Sequence, residues 1–252
     1  MTAATGGVAL VTGSSSGIGA ATVRLLAAQG MRVVVNYLSS AEAAGEVVAG
    51  IEAAGGRAMA VQADVREPAA VERMVEQVQA AWGGIDVLVH NALIPYVVKP
   101  FEDITWDELG GKLEAEMHAA FAVTKAVLPA MTRQGRGRII YLGTVLSRQP
   151  RQGMIALGTS KAALAQFARY LAQELGPRGI TVNVVESGAV EGTRVGANVV
   201  DDEMKQRRLA ATPMGRLARP EDVAQAVAFY AGEDNTFMTG TTAAVNGGLL
   251  MY

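Results

Sequence analysis

The 252-residue chain contains no cysteine and only two histidines. The first absence excludes disulfides, thiolate metal sites and thiol catalysis, and two imidazoles cannot build a His-rich zinc site. Excess positive charge is missing too. Against 24 acids stand 22 lysines and arginines, a formal charge of −2, which supplies no footprint for nucleic acid or an anionic lipid surface. No apolar run approaches the roughly 18 residues needed to span a bilayer, and the opening MTAATGG has neither charged head nor apolar stretch. Internal repeats, low-complexity tracts and Pro/Gly/Ser-rich linkers are likewise lacking. The expectation is a cytoplasmic protein whose partners are small molecules or other proteins, with no metal.

What the chain does have is apolar residues, at 50%, and 29 glycines, enough to bury one large core in a single domain. Short Val/Ile/Leu runs alternate with Ala-rich segments of helical period. GVALVT precedes 17–29, MRVVVNY precedes 41–54, RAMAVQ precedes 68–82, and IDVLVH precedes a long helical region. GRIIYLGT precedes 154–175, GITVNVV precedes the helix PEDVAQAVAFYAG, and AAVN closes the series. Strands apolar on both faces predict a mainly parallel sheet of about seven strands, doubly wound, with helices on both faces and right-handed crossovers. Only 188–214 has no clear place in this alternation. Its charged middle, DDEMKQRR, reads either as a surface helix or as a substrate lid, because long connections at the C-terminal ends of strands often carry function.

TGSSSGIG, residues 12–19, follows the first strand and opens the first helix. A glycine turn there lets backbone approach a pyrophosphate, and the helix N-terminus supplies unpaired N–H groups and a favourable dipole. With this turn stand ADV at 63–65, HNAL at 90–93, ITVNVVESG, GRLARPEDVA and TGTTAAVNGG. On these segments the chain, almost end to end, resembles the short-chain dehydrogenase/reductase family, a Rossmann-fold family, and within it the acyl-carrier-protein ketoreductase-like members. The resemblance implies that Gly13, Ser15, Ser16, Gly17, Ile18 and Gly19 wrap a pyrophosphate, that Asp64 and Val65 meet the adenine, and that Asn91 and Ala92 meet the adjoining ribose. Lys161, Gly188 and Val190 would lie along the nicotinamide half. The second strand ends in VNYLSS, without the acid that holds the adenine ribose hydroxyls in NAD enzymes. Asn36, Tyr37 and Ser39 could therefore accept a 2′-phosphate without repulsion, which favours NADP(H) over NAD(H).

The family's chemistry uses a Ser, a Tyr and a Lys, with an Asn on the preceding long helix supporting a water relay. Lys161 matches the lysine and Thr144 falls at the serine position, but Leu157 occupies the tyrosine position and can neither donate nor accept a proton. Glu116 replaces the asparagine, Leu93 and His90 alter the NNAG motif, and Ser187 replaces a proline near the nicotinamide. Three substitutes for the missing proton donor remain open: Tyr96 after the fourth strand, Glu116 if burial raises its pKa, and water on Thr144. Tyr141, three residues from Thr144 on one strand, is expected on the opposite sheet face. Three functions follow. One is an NADP(H)-dependent reductase of a small or carrier-bound carbonyl substrate with an altered proton path. The others are a silent subunit partnering an active homologue, and a scaffold reused for non-redox chemistry. By the same resemblance, the long helix and 154–175 are the faces for a homodimer or homotetramer.

Overall fold

The computed structural model describes residues 6–193 and 202–251, with backbone only for 202–205. Seven strands form one sheet: β1 (Val8–Val11), β2 (Arg32–Tyr37), β3 (Arg57–Gln62), β4 (Val87–His90), β5 (Gly137–Thr144), β6 (Ile180–Ser187) and β7 (Thr242–Val245). Their spatial order is β3-β2-β1-β4-β5-β6-β7, and every pairing is parallel. Parallel neighbours need crossovers, which the helices provide. These are α1 (Gly17–Ala28), α2 (Ala41–Ala53), α3 (Pro68–Trp82), α4 (Trp106–Gln134), α5 (Ile155–Leu175), α6 (Asp202–Ala211) and α7 (Pro220–Ala231).

Because side chains alternate along a strand, the sheet feeds two cores. Leu10, Leu88, Ile139, Tyr141 and Val182 pack on the side of α3, α4 and α5. Val11, Val89, Ile140, Leu142 and Val185 pack on the side of α1, α2 and α7. Both faces of the inner strands are thus dry, which explains why those strands are apolar throughout rather than at every second residue. The expected doubly wound single domain is the observed one, and the predicted strand and helix bounds agree to within a residue or two.

The sheet order reverses between β1 and β4, and connections there run outward in opposite directions. This leaves a crevice beyond the carboxyl ends of the strands, the usual ligand position in open α/β sheets. The long helix α4, which carries Glu116, starts at a reciprocal cap. Thr105 Oγ1 accepts from Glu108 N–H at 3.2 Å, and Glu108 Oε2 accepts from Thr105 N–H at 3.0 Å. Of the connection expected as a lid over 188–214, α6 is helical, and residues 194–201 lie outside the described residues. Among the described residues no helix is long and apolar enough to cross a membrane.

Candidate functional site

The glycine turn after β1 is shaped by close approach. Gly13 has φ +61°, and a Cβ there would lie 2.8 Å from the Ala92 Cα; at Gly19 it would lie 2.6 Å from Asn91 Nδ2. Side chains fasten this turn to the end of β4. Thr12 Oγ1 accepts from the N–H groups of Asn91 and Ala92 at 3.0 Å, and Asn91 Nδ2 donates to the carbonyls of Thr12 and Gly13 at 2.9 Å. The two strands flanking the topological switch are therefore held together at the crevice floor.

Asn36 corrects an expectation. Its Oδ1 accepts from Gly13 N–H at 3.1 Å, and its Nδ2 donates to Val61 O at 3.3 Å and Ala63 O at 3.1 Å. The side chain is buried and every hydrogen-bonding atom is committed to backbone, so Asn36 braces the turn and has no donor left for a phosphate. Polar groups at the same end come instead from Ser39, Ser40 and Arg66. Arg66 donates from Nε and a terminal nitrogen to the carboxylate of Asp64, with distances of 2.6 to 3.1 Å, and this pairing holds the Asp64 pKa below its usual value. Arg66 lies after the third strand in sequence, and its place two residues beyond Asp64 is the only sequence signal that pointed to it.

A cleft of about 350 Å³ runs along these strand ends. It brings together every expected cofactor residue except Gly19, whose absence of a side chain lets Asn91 pack behind the turn. Leu93, Thr144, Leu157, Lys161 and Ser187 line it as well. Leu93 is 41% exposed and so adds its bulk at the rim. A second cavity, about 370 Å³, adjoins the first, and the two share Thr144 and Gly188. Thr144 Oγ1 accepts from Leu146 N–H at 3.4 Å, a weak bond that leaves the hydroxyl proton available to a ligand.

Behind the cleft lies a buried ionic chain. Lys112 Nζ is 2.5 Å from Glu116 Oε2, and Lys161 Nζ is 2.8 Å from Glu116 Oε1. The carboxylate is fully buried and the lysine side chains are 1% and 6% exposed, so this is an interior array of two cations on one anion. Further bonds from Lys112 Nζ to Ile94 O, at 2.9 Å, and from Lys161 Nζ to Leu142 O, at 2.7 Å, complete it. Burial alone would raise the Glu116 pKa, but Lys161 and Lys112 outweigh it and hold the group at about 2. Glu116 is therefore ionised at neutral pH, which corrects the expectation that burial would make it an acid. Lys112 was not singled out in the sequence; its i,i+4 spacing to Glu116 on α4 was the available signal.

The other titratable candidates are unsuited to donating a proton into the cleft. Burial lowers the His90 pKa to about 4; Glu116 opposes this and the two lysines reinforce it, so the ring is neutral at pH 7. Its Nδ1 lies 3.5 Å from Thr12 Oγ1. Tyr141 is fully buried against α4, its hydroxyl 2.5 Å from Thr124 Oγ1, and burial pushes its pKa up. It points into the α3–α5 core, on the face expected for it. Tyr96 lies outside the described linings of both cavities; its ring sits 5.9 Å from Lys112 Nζ, and burial raises its pKa against the pull of Arg151.

A parallel sheet with a glycine turn at its switch point, and a cleft along the carboxyl ends of its strands, defines a doubly wound α/β protein with its ligand crevice at the usual place. Residues 13–250 match the family model described as Enoyl-(Acyl carrier protein) reductase. The chain is 36% identical over 248 residues to the 3-oxoacyl-(acyl-carrier-protein) reductase FabG of Escherichia coli K12, covering 98% of each. It is equally 36% identical to 3beta-hydroxysteroid dehydrogenase 1 of Eggerthella lenta, covering 98% of this chain and 95% of that one. Among solved structures, a dehydrogenase/reductase from Sinorhizobium meliloti 1021 matches with a TM-score of 0.91 at 35% identity, covering 99% of this chain and 97% of that one. A Serratia marcescens short-chain dehydrogenase/reductase matches at 0.89 and 33%, covering 98% and 99%. The chain belongs to the short-chain dehydrogenase/reductase family, as a ketoreductase-like member.

Proposed function

We propose that the protein is an NADP(H)-binding reductase of carbonyl substrates that works without a side-chain acid at position 157. The observation that carries this reading is the pair of adjoining cavities with Thr144 on their common wall. The first fits a dinucleotide: its glycine turn leaves no room for side chains at Gly13 and Gly19, and Thr12, Asn36 and Asn91 fix that turn in advance. Gly13, Ser15, Ser16 and Gly17 would hold the pyrophosphate. Ser39, Ser40 and Arg66 would meet a 2′-phosphate, and Asn91, Ala92, Lys161, Gly188 and Val190 the remainder. A nicotinamide bound there would supply hydride.

The chain's own contribution is positioning and a proton. Thr144 orients the carbonyl, and placing the two reactants together is a large entropic effect that does not depend on an acid. With Leu157 inert, Glu116 ionised and His90 neutral, the proton comes from water at the Thr144 hydroxyl, the polar side chain that the described linings of both cavities share. Loss of a positioned acid costs typically ~10²- to 10⁴-fold, so the reading is of a slow reductase. The engagement of Lys161 by Glu116 and Leu142 O favours a second reading, a silent subunit that holds cofactor beside an active homologue. Self-association through α4 and α5, and closure of part of 188–214 over the substrate, belong to the first proposal by family analogy.

Fluorescence titration with NADPH and NADH, followed by a carbonyl panel, separates these readings. Binding of NADPH in preference to NADH, with slow turnover, is the expected result. Binding without any turnover supports the silent subunit, and failure to bind either nucleotide overturns both.

A further inference from the structure

Next to the junction of the two cavities, β6 carries an acid that the proposed chemistry leaves unused. Glu186 is fully buried. The strand register sets it beside Gly143 and sets the next residue, Ser187, beside Thr144. A Cβ at Gly143 would lie 2.9 Å from the Glu186 Cγ, so the glycine leaves room for the acid's stem. The carboxylate reaches past the end of β5 to the 3₁₀ turn that follows it, Val145–Ser147. Ser147 Oγ donates to Glu186 Oε1 at 2.7 Å, and Arg148 Nε lies 3.4 Å from Oε2.

Thr144 caps the same turn, its Oγ1 accepting from Leu146 N–H, and the N–H groups of Arg148 and Gln149 both donate to Val145 O, at 3.1 and 2.8 Å. Val145, Leu146, Gln149 and Pro150 form one wall of the second cavity. From Arg148 to Met154 the chain has neither helix nor strand, so this wall depends on what holds the turn. A buried ion pair can often be replaced by apolar side chains without loss of stability, and global stability does not account for an acid here. What a valine could not do is bond one strand end to one particular turn. We infer that Glu186 is a positioning residue: through Ser147 and Arg148 it fixes the turn that carries Thr144 and the cavity wall, relative to Ser187 and Gly188. The pyrophosphate turn after β1 is braced separately, by Thr12, Asn36 and Asn91, so loss of the anchor should disturb substrate handling and spare nucleotide binding. This deepens the reductase reading, on which it rests for the identity of the second cavity as the substrate's.

Amide exchange read by mass spectrometry, together with steady-state kinetics on ethyl acetoacetate, tests this. In Ser147→Ala and in Glu186→Val, exchange of the segment 145–153 should accelerate at least ~10-fold, the effect of losing a hydrogen bond to a charged group, while β1 keeps its protection. The kcat/KM for ethyl acetoacetate should fall at least ~10-fold, because small misplacements of a reacting group are costly. NADPH affinity, by fluorescence, should stay within ~3-fold of the parent. Ser147→Thr, which keeps the hydroxyl, should retain parental exchange and turnover. Should Glu186→Val fold poorly, Ser147→Ala, at a half-buried site, carries the test alone. Unchanged exchange of the segment, acceleration spread equally over β1, equal loss of nucleotide binding and substrate turnover, or a Ser147→Thr variant as impaired as Ser147→Ala would overturn the inference. Local acceleration in a protein that reduces nothing would uphold the anchor while defeating the reductase reading.

Discussion

Replacing Glu116 with glutamine removes the only anion in a buried chain of three charges. Two ammonium groups, 2.5 and 2.8 Å from the former carboxylate oxygens and at most 6% exposed, are left without a counter-charge. Breaking a buried pair by removing one partner costs about 3–5 kcal/mol, and a glutamine oxygen accepts from only one lysine well. The expected loss lies in that range, measured as the shift in urea midpoint at constant slope at pH 7.5. Burial already lowers the pKa of Lys112, and Glu116 is what holds it up. Without the carboxylate, the folded-state pKa falls further below the unfolded value, so between the two the unfolded chain binds more protons and stability rises with pH. The deficit of Glu116→Gln should therefore shrink between pH 7 and 10. Removing the surplus cation as well, in Lys112→Met/Glu116→Asn, should cost at least ~2 kcal/mol less than Glu116→Gln, because only Lys161 stays and its bond to Leu142 O remains. A cost for Glu116→Gln under ~1 kcal/mol, or a double variant no more stable than the single, would refute the description of these groups as one charge-balanced unit.

The same network governs restoration of the phenol. Leu157→Tyr alone should raise NADPH-dependent reduction of a β-ketoester less than ~10-fold, because Glu116 neutralises the ammonium beside it. In the Lys112→Met/Glu116→Asn background the gain should exceed ~10-fold, the range of general acid catalysis; equal gains in both backgrounds would sink the idea. His90 is lowered to about 4 from 6.5, so its contribution to stability is complete above pH 6.5 and is lost as pH falls towards 4, by about 3 kcal/mol. Chemical denaturation of His90→Asn should show a flatter pH dependence across that window. Asn36→Ala, which removes three bonds to Gly13, Val61 and Ala63, should cost about 2–3 kcal/mol and weaken NADPH and NADH alike. Arg66→Ala should weaken NADPH more than NADH in the same fluorescence titration.

The inner strands were readable because they are apolar on both faces, and Gly13 and Gly19 marked the turn by type and spacing. Leu157, Lys161 and Thr144 could be placed from their spacing once the family pattern was recognised, and the structure brings them to one cleft. The side-chain partnerships were not readable. Asn36, near the end of β2, reaches the turn after β1 and the end of β3 through a sheet register that sequence does not specify. Lys112 and Glu116 are four residues apart, but Lys161 joins them from another helix, and the two lysines together reverse the direction in which burial alone would move the Glu116 pKa.

The charge chain behind the cleft also couples what can be changed singly at positions 112, 116 and 157. A tyrosine placed at position 157 meets a lysine whose ammonium is already engaged. An asparagine placed at position 116 strands Lys112 and Lys161 as uncompensated interior cations. Removing Lys112 alone leaves a one-to-one pair that holds Lys161 as before. Each single substitution is therefore either harmful or of small benefit, and a strong phenol acid at position 157 depends on changes at positions 112 and 116 as well.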